Sequence, residues 1–192
     1  MIMKQPELNT ARLQLRLGIT DDIPAILHYY RVNRAYLAPF EPQRPASFYT
    51  RDFWKTVLAA RESDFYADQG VKLLIFLRAE PDQVIGTINL NTIVRGAFQA
   101  ATLGYGLSAQ HQGQGYMTEA GQRLMTYAFD HLKLHRVMAN YMPHNHRSAS
   151  VLKRLGFQIE GIARDYLFIN GQWQDHVMTS LINPNWQAPE LL

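Results

Sequence analysis

No cysteine stands anywhere in the 192 residues. That excludes disulfides, thiolate metal sites and a cysteine nucleophile. It suits a reducing compartment, and the expected location is cytoplasmic. No apolar run approaches the ~20 residues that cross a bilayer, and Met1-Ile-Met-Lys-Gln-Pro6 shows no signal-peptide pattern. No membrane partner is expected. Gly-Lys-Ser/Thr is absent, which excludes a P-loop. Charge of one sign is scarce: 19 Lys+Arg face 16 Asp+Glu, a net +3. Without a basic cluster, direct nucleic-acid binding is not expected. Without an acidic cluster, a pocket for a polycationic small amine has little support. What remains, 47% hydrophobic residues, suits one globular domain over 1–192, with a core at about 10–183.

The most informative stretch is Ala101-Thr-Leu-Gly-Tyr-Gly-Leu-Ser108, then Gln110-His-Gln-Gly-Gln-Gly115, then Tyr116-Met-Thr-Glu-Ala120 and onward to Leu132. It reads as strand, glycine loop, helix. Two glycines two apart allow a tight bend and close approach to a ligand. Amides at a helix start then favour a negative group, and a phosphate-bearing cofactor is the natural guest. A plain strand-to-helix turn is the alternative.

Around it, Arg12–Arg16 alternates as a half-buried strand. Thr20-Asp-Asp22 opens a helix that runs to about Tyr36, where Ala38-Pro-Phe-Glu-Pro42 stops it. A second helix spans Thr50–Glu62. Val71–Arg78, Val84–Val94 and Ala100–Ser108 form an antiparallel meander turned at Glu80–Gln83 and Arg95–Gly96. Met117, Ala120, Gly121, Leu124, Ala128 and Leu132 make one helical face. Arg136–Met142 follows as a strand parallel to Ala100–Ser108, through a right-handed crossover. Ser148 opens a short helix that Gly156 ends. Phe157–Ile169 and Gln172–Ile182 flank an Asn170-Gly171 hairpin, and Pro184 begins a loose tail. The order β-α-α-β-β-β-α-β-α-β-β implies an α/β (α+β) fold with a mixed, mostly antiparallel sheet. A dinucleotide fold does not fit. Its glycine fingerprint follows the first strand of a parallel sheet, and here Thr118 holds the third glycine position.

Gln110-x-x-Gly113-x-Gly115 between a strand and a helix resembles the acyl-coenzyme A motif of the GNAT acetyltransferases. Asn145-His-Arg-Ser148…Leu155-Gly-Phe157 is similar to the branch that acetylates ribosomal protein N-termini, and the similarity extends over nearly the whole chain. The resemblance implies a GNAT fold with acetyl-CoA as cosubstrate, wedged where two parallel strands splay. It implies cofactor contacts from Leu107, Ser108, Gln110, Gln112, Gly113, Gln114, Gly115, Tyr116, Met117, Thr118, Asn140, Asn145 and Ser148. The acceptor would be the N-terminal alanine of a ribosomal protein, and no metal is called for. A monomer or weak dimer is expected.

An amine attacks a thioester directly, so no enzyme nucleophile is needed. Backbone amides at the end of Tyr105–Ser108 would meet the charge on the carbonyl oxygen. Ser148 would donate a proton to the leaving sulfur, a role that competes with capping its helix. Tyr105 either contacts substrate or packs in the sheet. The resemblance puts a base on the strand after the short helix, at Leu167, which takes no proton. Asp165, two residues away on the same face of a regular strand, is the expected base; Glu119, Glu41, Glu160 and a water chain stay open. Glu119 could instead brace the glycine loop. Phe40 and Glu41 are expected to form the acceptor slot. His144 and His146 read as solvated loop residues, and Trp54 and Trp173 as core or pocket wall. A small-amine acetyltransferase and a non-catalytic acetyl-CoA sensor are the alternative functions.

Overall fold

The computed structural model describes residues 5–188. The expectation for Met1–Lys4 therefore lies outside the described residues. Eight strands of the described residues form one sheet: β1 (Glu7–Asn9), β2 (Leu13–Leu17), β3 (Val71–Leu77), β4 (Glu80–Val94), β5 (Ala100–Leu107), β6 (Arg136–Tyr141), β7 (Gln158–Ile169) and β8 (Gln172–Ile182). Their spatial order is β1-β2-β3-β4-β5-β6-β8-β7. All neighbours are antiparallel except β5 and β6. Among the described residues, five α-helices accompany them: α1 (Ile23–Val32), α2 (Arg34–Leu37), α3 (Arg51–Tyr66), α4 (Tyr116–Thr126) and α5 (His146–Arg154).

The sheet is covered on both faces, and β3 shows why its sequence is a continuous apolar run. Leu73 and Ile75 join one core with Leu13, Leu15, Leu17 and the α4 face Met117, Ala120 and Leu124. Leu74 and Phe76 join the opposite core, with Ile26 and Tyr30 of α1 and Trp54 and Leu58 of α3. Each fully buried Leu, Ile or Phe among them stabilises the fold by roughly 1.5–3 kcal/mol. Gly121 lets two elements meet: a Cβ there would lie 2.6 Å from Leu155 Cδ1, just after α5.

Several local expectations change. The first helix breaks at Asn33. Its buried side chain donates Nδ2–H to Tyr29 O at 2.9 Å and accepts from Ala109 N at 3.0 Å, tying the break to the segment after β5. Asp22 holds the N-cap position of α1 but makes no side-chain cap bond there. Its carboxylate takes both Arg16 Nη1 and Nη2 at 2.7 Å, and the Ile19 amide. The β3–β4 turn is Arg78–Ala79, and Pro81–Gln83 lies where the β3–β4 register shifts. The start of the tail is docked: Trp186 Nε1–H donates to Lys133 O at 2.9 Å and its ring meets His135 edge-on. No helix among the described residues is long and apolar enough to cross a membrane.

Candidate active site

β5 and β6 pair only from Ala100↔Arg136 to Leu103↔Ala139, and then part. Beyond Leu103, β5 keeps its ladder with β4 through Gly86↔Leu107. The Ser108 amide bonds Ile85 O at 2.8 Å, on the β4 side. Strand alternation therefore turns the amides of Tyr105 and Leu107 toward the opening. A cleft of about 1030 Å³ occupies this fork, lined by Tyr105, Gly106 and Leu107, the glycine loop, the start of α4, one face of α5, and Tyr36, Leu37 and Phe40.

At the fork, Tyr105 Oη and Ser148 Oγ lie 2.7 Å apart, and Tyr105 Oη–H is also 3.2 Å from Ser148 O. Asn145, not Ser148, is the N-cap of α5: its Oδ1 accepts from Ser148 N at 3.1 Å. The competition between capping and chemistry at Ser148 is thereby removed. Burial pushes the Tyr105 phenol up to about 12, outweighing the Ser148 hydrogen bond, which pulls the other way.

The glycine loop bends at Gly113 (φ 73°) and Gly115 (φ 79°), both in the left-handed region. Gly115 is the N-cap of α4, and the first helical bond runs from Glu119 N to Gly115 O. The amides of Tyr116, Met117 and Thr118 have no helical partner. At Gly113 a Cβ would meet nothing within 4 Å. A pyrophosphate fits this open, amide-lined bend. The cradle is braced from β1–β2. Arg12 donates to Gln114 O at 3.0 Å, pairs with Glu119 at 2.6 Å and lies over the Tyr116 ring. Glu119 also accepts from Thr10 Oγ1 at 2.6 Å. Desolvation pulls its pKa up, but the Thr10 and Arg12 hydrogen bonds outweigh it and hold it below the usual carboxylate range. Glu119 braces the glycine loop.

A family model described as an acetyltransferase (GNAT) domain matches residues 12–158. This chain belongs to the GNAT acetyltransferase family. It is 40% identical over 179 residues to the [ribosomal protein uS5]-alanine N-acetyltransferase of Escherichia coli (strain K12), covering 93% of this chain and 92% of that protein. The ribosomal-protein-S5-alanine acetyltransferase of Vibrio fischeri superposes with a TM-score of 0.90 at 37% identity, over 95% of this chain and 100% of that one. RimJ of Mycobacterium smegmatis, solved with CoA-disulfide, shares the fold at 23% identity and a TM-score of 0.83, over 93% of this chain and 86% of that one.

In this GNAT domain, Phe40, Tyr105, Leu107, Gln112, Gly113, Gly115, Tyr116, Met117, Thr118, Asn145 and Ser148 line one cleft. Other expected residues do not. Ser108 is buried, with its amide committed to Ile85 O. Gln110 and Gln114 stand outside the lining, their carbonyls taken by Gln114 Nε2 and Arg12. Asn140 is held in the β6–β8 ladder opposite Met178. Glu41 pairs with Arg44 at 3.0 Å and faces a neighbouring pocket.

Asp165 is the clearest correction. The argument for it assumed a regular strand. The β7–β8 register shifts between Ala163 and Leu167, Asp165 itself has φ 47°, and its amide donates to Asp175 Oδ1. It stands exposed in the outer hairpin, outside the cleft lining. Glu160 is likewise occupied: hydrogen bonds from Arg136 and Ser180 hold its carboxylate low. Trp54 is core, but Trp173 is exposed and packs on Phe168. His146 lines the cleft while His144 packs near Phe40. Among the described residues no three His, Cys, Asp or Glu converge as metal ligands.

The sequence reading missed Arg12, Tyr36 and a polar face of α5. Arg147, Ser150 and Arg154 line the cleft at i, i+3 and i+7, a spacing that was available as a signal. Tyr36 Oη accepts from Gln112 Nε2 and, at 3.4 Å, from Arg147 Nη1, so it spans from α2 to both cofactor walls. No local pattern marks Arg12 or Tyr36.

Proposed function

We propose that this protein transfers the acetyl group of acetyl-CoA to the α-amine of an N-terminal alanine on a ribosomal protein. The observation that carries the reading is the Tyr105–Ser148 pair at the fork of β5 and β6, in the cleft that begins at the glycine loop. The loop amides from Gly113 to Thr118 would hold the pyrophosphate, with the Arg147 and Arg154 guanidiniums adding positive charge. The unpaired edge of Tyr105–Leu107 would hold the pantetheine arm as an extra strand, and Asn145 faces it from α5. Similarity over nearly the full length to the uS5-alanine acetyltransferases supports the choice of acceptor.

Bound acetyl-CoA supplies a thioester that an amine attacks directly. The chain's own residues then have three tasks. A protein α-amine titrates near ~7.7–8.0, so a useful fraction is neutral at pH 7 and water suffices to carry its proton away. This assignment agrees with the absence, among the described residues, of a free carboxylate beside Ser148: Glu119, Glu160 and Glu41 are each paired and Asp165 lies elsewhere. The amides turned toward the fork stabilise charge that develops on the carbonyl oxygen. Tyr105, at about 12, is a weaker acid than a thiol near ~8.5. The Tyr105–Ser148 pair therefore keeps its proton and solvates charge building on sulfur as a hydrogen-bond donor.

The test mixes purified protein and acetyl-CoA with peptides beginning in Ala, Ser or Met, a polyamine and an aminoglycoside, and follows thiol release. Turnover on alanine-first peptides, with acetyl found on the α-amine, is expected. Turnover on the small amines alone would overturn the assignment.

A further inference from the structure

The wall that carries Phe40 has a second side. Tyr30, Arg34, Leu37, Glu41, Arg44 and Asn170 help line a smaller pocket of about 280 Å³. Leu37 lines both this pocket and the cleft, and Phe40 and Glu41, adjacent in the chain, each face one of them. A peptide whose amine lies against Phe40 therefore reaches the pocket by passing Leu37. The pocket's far side is the β7–β8 hairpin tip, fixed there by the Asn170 amide donating to Glu41 O at 3.2 Å.

The charges in this pocket are unbalanced. Two guanidiniums, Arg34 and Arg44, face one carboxylate, Glu41. Glu41 is committed to Arg44. Arg34 lies over the Tyr49 ring at 5.2 Å and forms no ion pair among the described residues. Behind Tyr30 is Arg61, over Trp54, with its Nη1 buried and unpartnered. A guanidinium open on its forked edge matches a carboxylate, and the net positive lining repels polycations.

We propose that this pocket is an acceptor subsite for an acidic side chain within the first few residues after the acetylated alanine, read by Arg34. The inference rests on the proposed acceptor being a peptide. The experiment compares alanine-first peptides carrying Glu or Gln at the second, third or fourth position. At one position Glu is expected to raise kcat/KM about five-fold through KM, an advantage that shrinks as salt screens the pair. Arg34→Gln should erase that preference, so that the Glu and Gln peptides turn over with matching kcat/KM. Glu41→Gln, which releases Arg44, should enlarge it. Equal rates with Glu and Gln at all three positions, or a preference indifferent to both variants, would overturn the subsite alone. Turnover of small amines with none of any alanine peptide would overturn the proposed function, and the subsite with it.

Discussion

Asn145 and Ser148 divide two tasks on one helix turn. Asn145 Oδ1 satisfies the Ser148 amide, so Ser148 Oγ is left to Tyr105. Removing one hydroxyl from that pair tests its part in turnover. Tyr105→Phe is expected to lower kcat about ten- to hundred-fold, with acetyl-CoA affinity changed less than about three-fold. Stopped-flow or coupled thiol assays against a cofactor titration separate the two. The pH profile has a definite sign. Burial raises Tyr105, so its phenol stays protonated past the usual tyrosine range. The rate should rise as the α-amine loses its proton near ~8 and stay level through pH 10. A fall centred near 10 would mean that Tyr105 is not desolvated as described.

At the scale of elements, the glycine loop works because β5, β6 and α4 hold it in place. β6 leaves β5 after four paired residues, Ala100 to Leu103, and α4 begins on a left-handed Gly115. An acidic side chain at that cap would sit where the amides should face phosphate. Gly115→Glu is expected to weaken acetyl-CoA binding by at least about a hundred-fold by calorimetry, while the fold still melts cooperatively. Unchanged affinity would place the cofactor elsewhere. The same scale explains the error at Asp165. Alternation along a strand predicts which face a residue takes only while pairing is regular. A shift between Ala163 and Leu167 breaks that logic, and no residue type in the stretch announces it.

For the whole molecule, the two cores carry different parts of the site. The core under α4 positions the cofactor cradle; the core of α1 and α3 positions Tyr36, Leu37 and Phe40. Trp54 sits at the centre of the second core, stacked on Tyr30 at 5.4 Å and donating Nε1–H to Phe48 O at 2.8 Å. Trp54→Ala is expected to cost about 3–5 kcal/mol in urea unfolding. It should weaken the acceptor peptide more than acetyl-CoA, because the cofactor walls rest on the other core. Equal losses for both ligands would show that the two cores do not act separately.

Apart from the short β1, which was missed, and the break at Asn33, the element order, the parallel crossover, the α4 core face and the glycine loop were legible because each rests on short-range periodicity or on a backbone need that only certain residues meet. Met117, Ala120, Leu124 and Ala128 are buried as their spacing requires. Asn170 and Gly171 both adopt positive φ, as a tight hairpin demands. The partnerships were not legible. Arg12 meets Glu119 across 107 positions, Tyr36 meets Gln112 across 76, and Tyr105 meets Ser148 across 43. Local sequence determines which element a residue joins and which face it prefers. Only the assembled sheet decides which of the many charged and hydroxyl groups meet, and so which are spent as braces and which are left at the fork for chemistry.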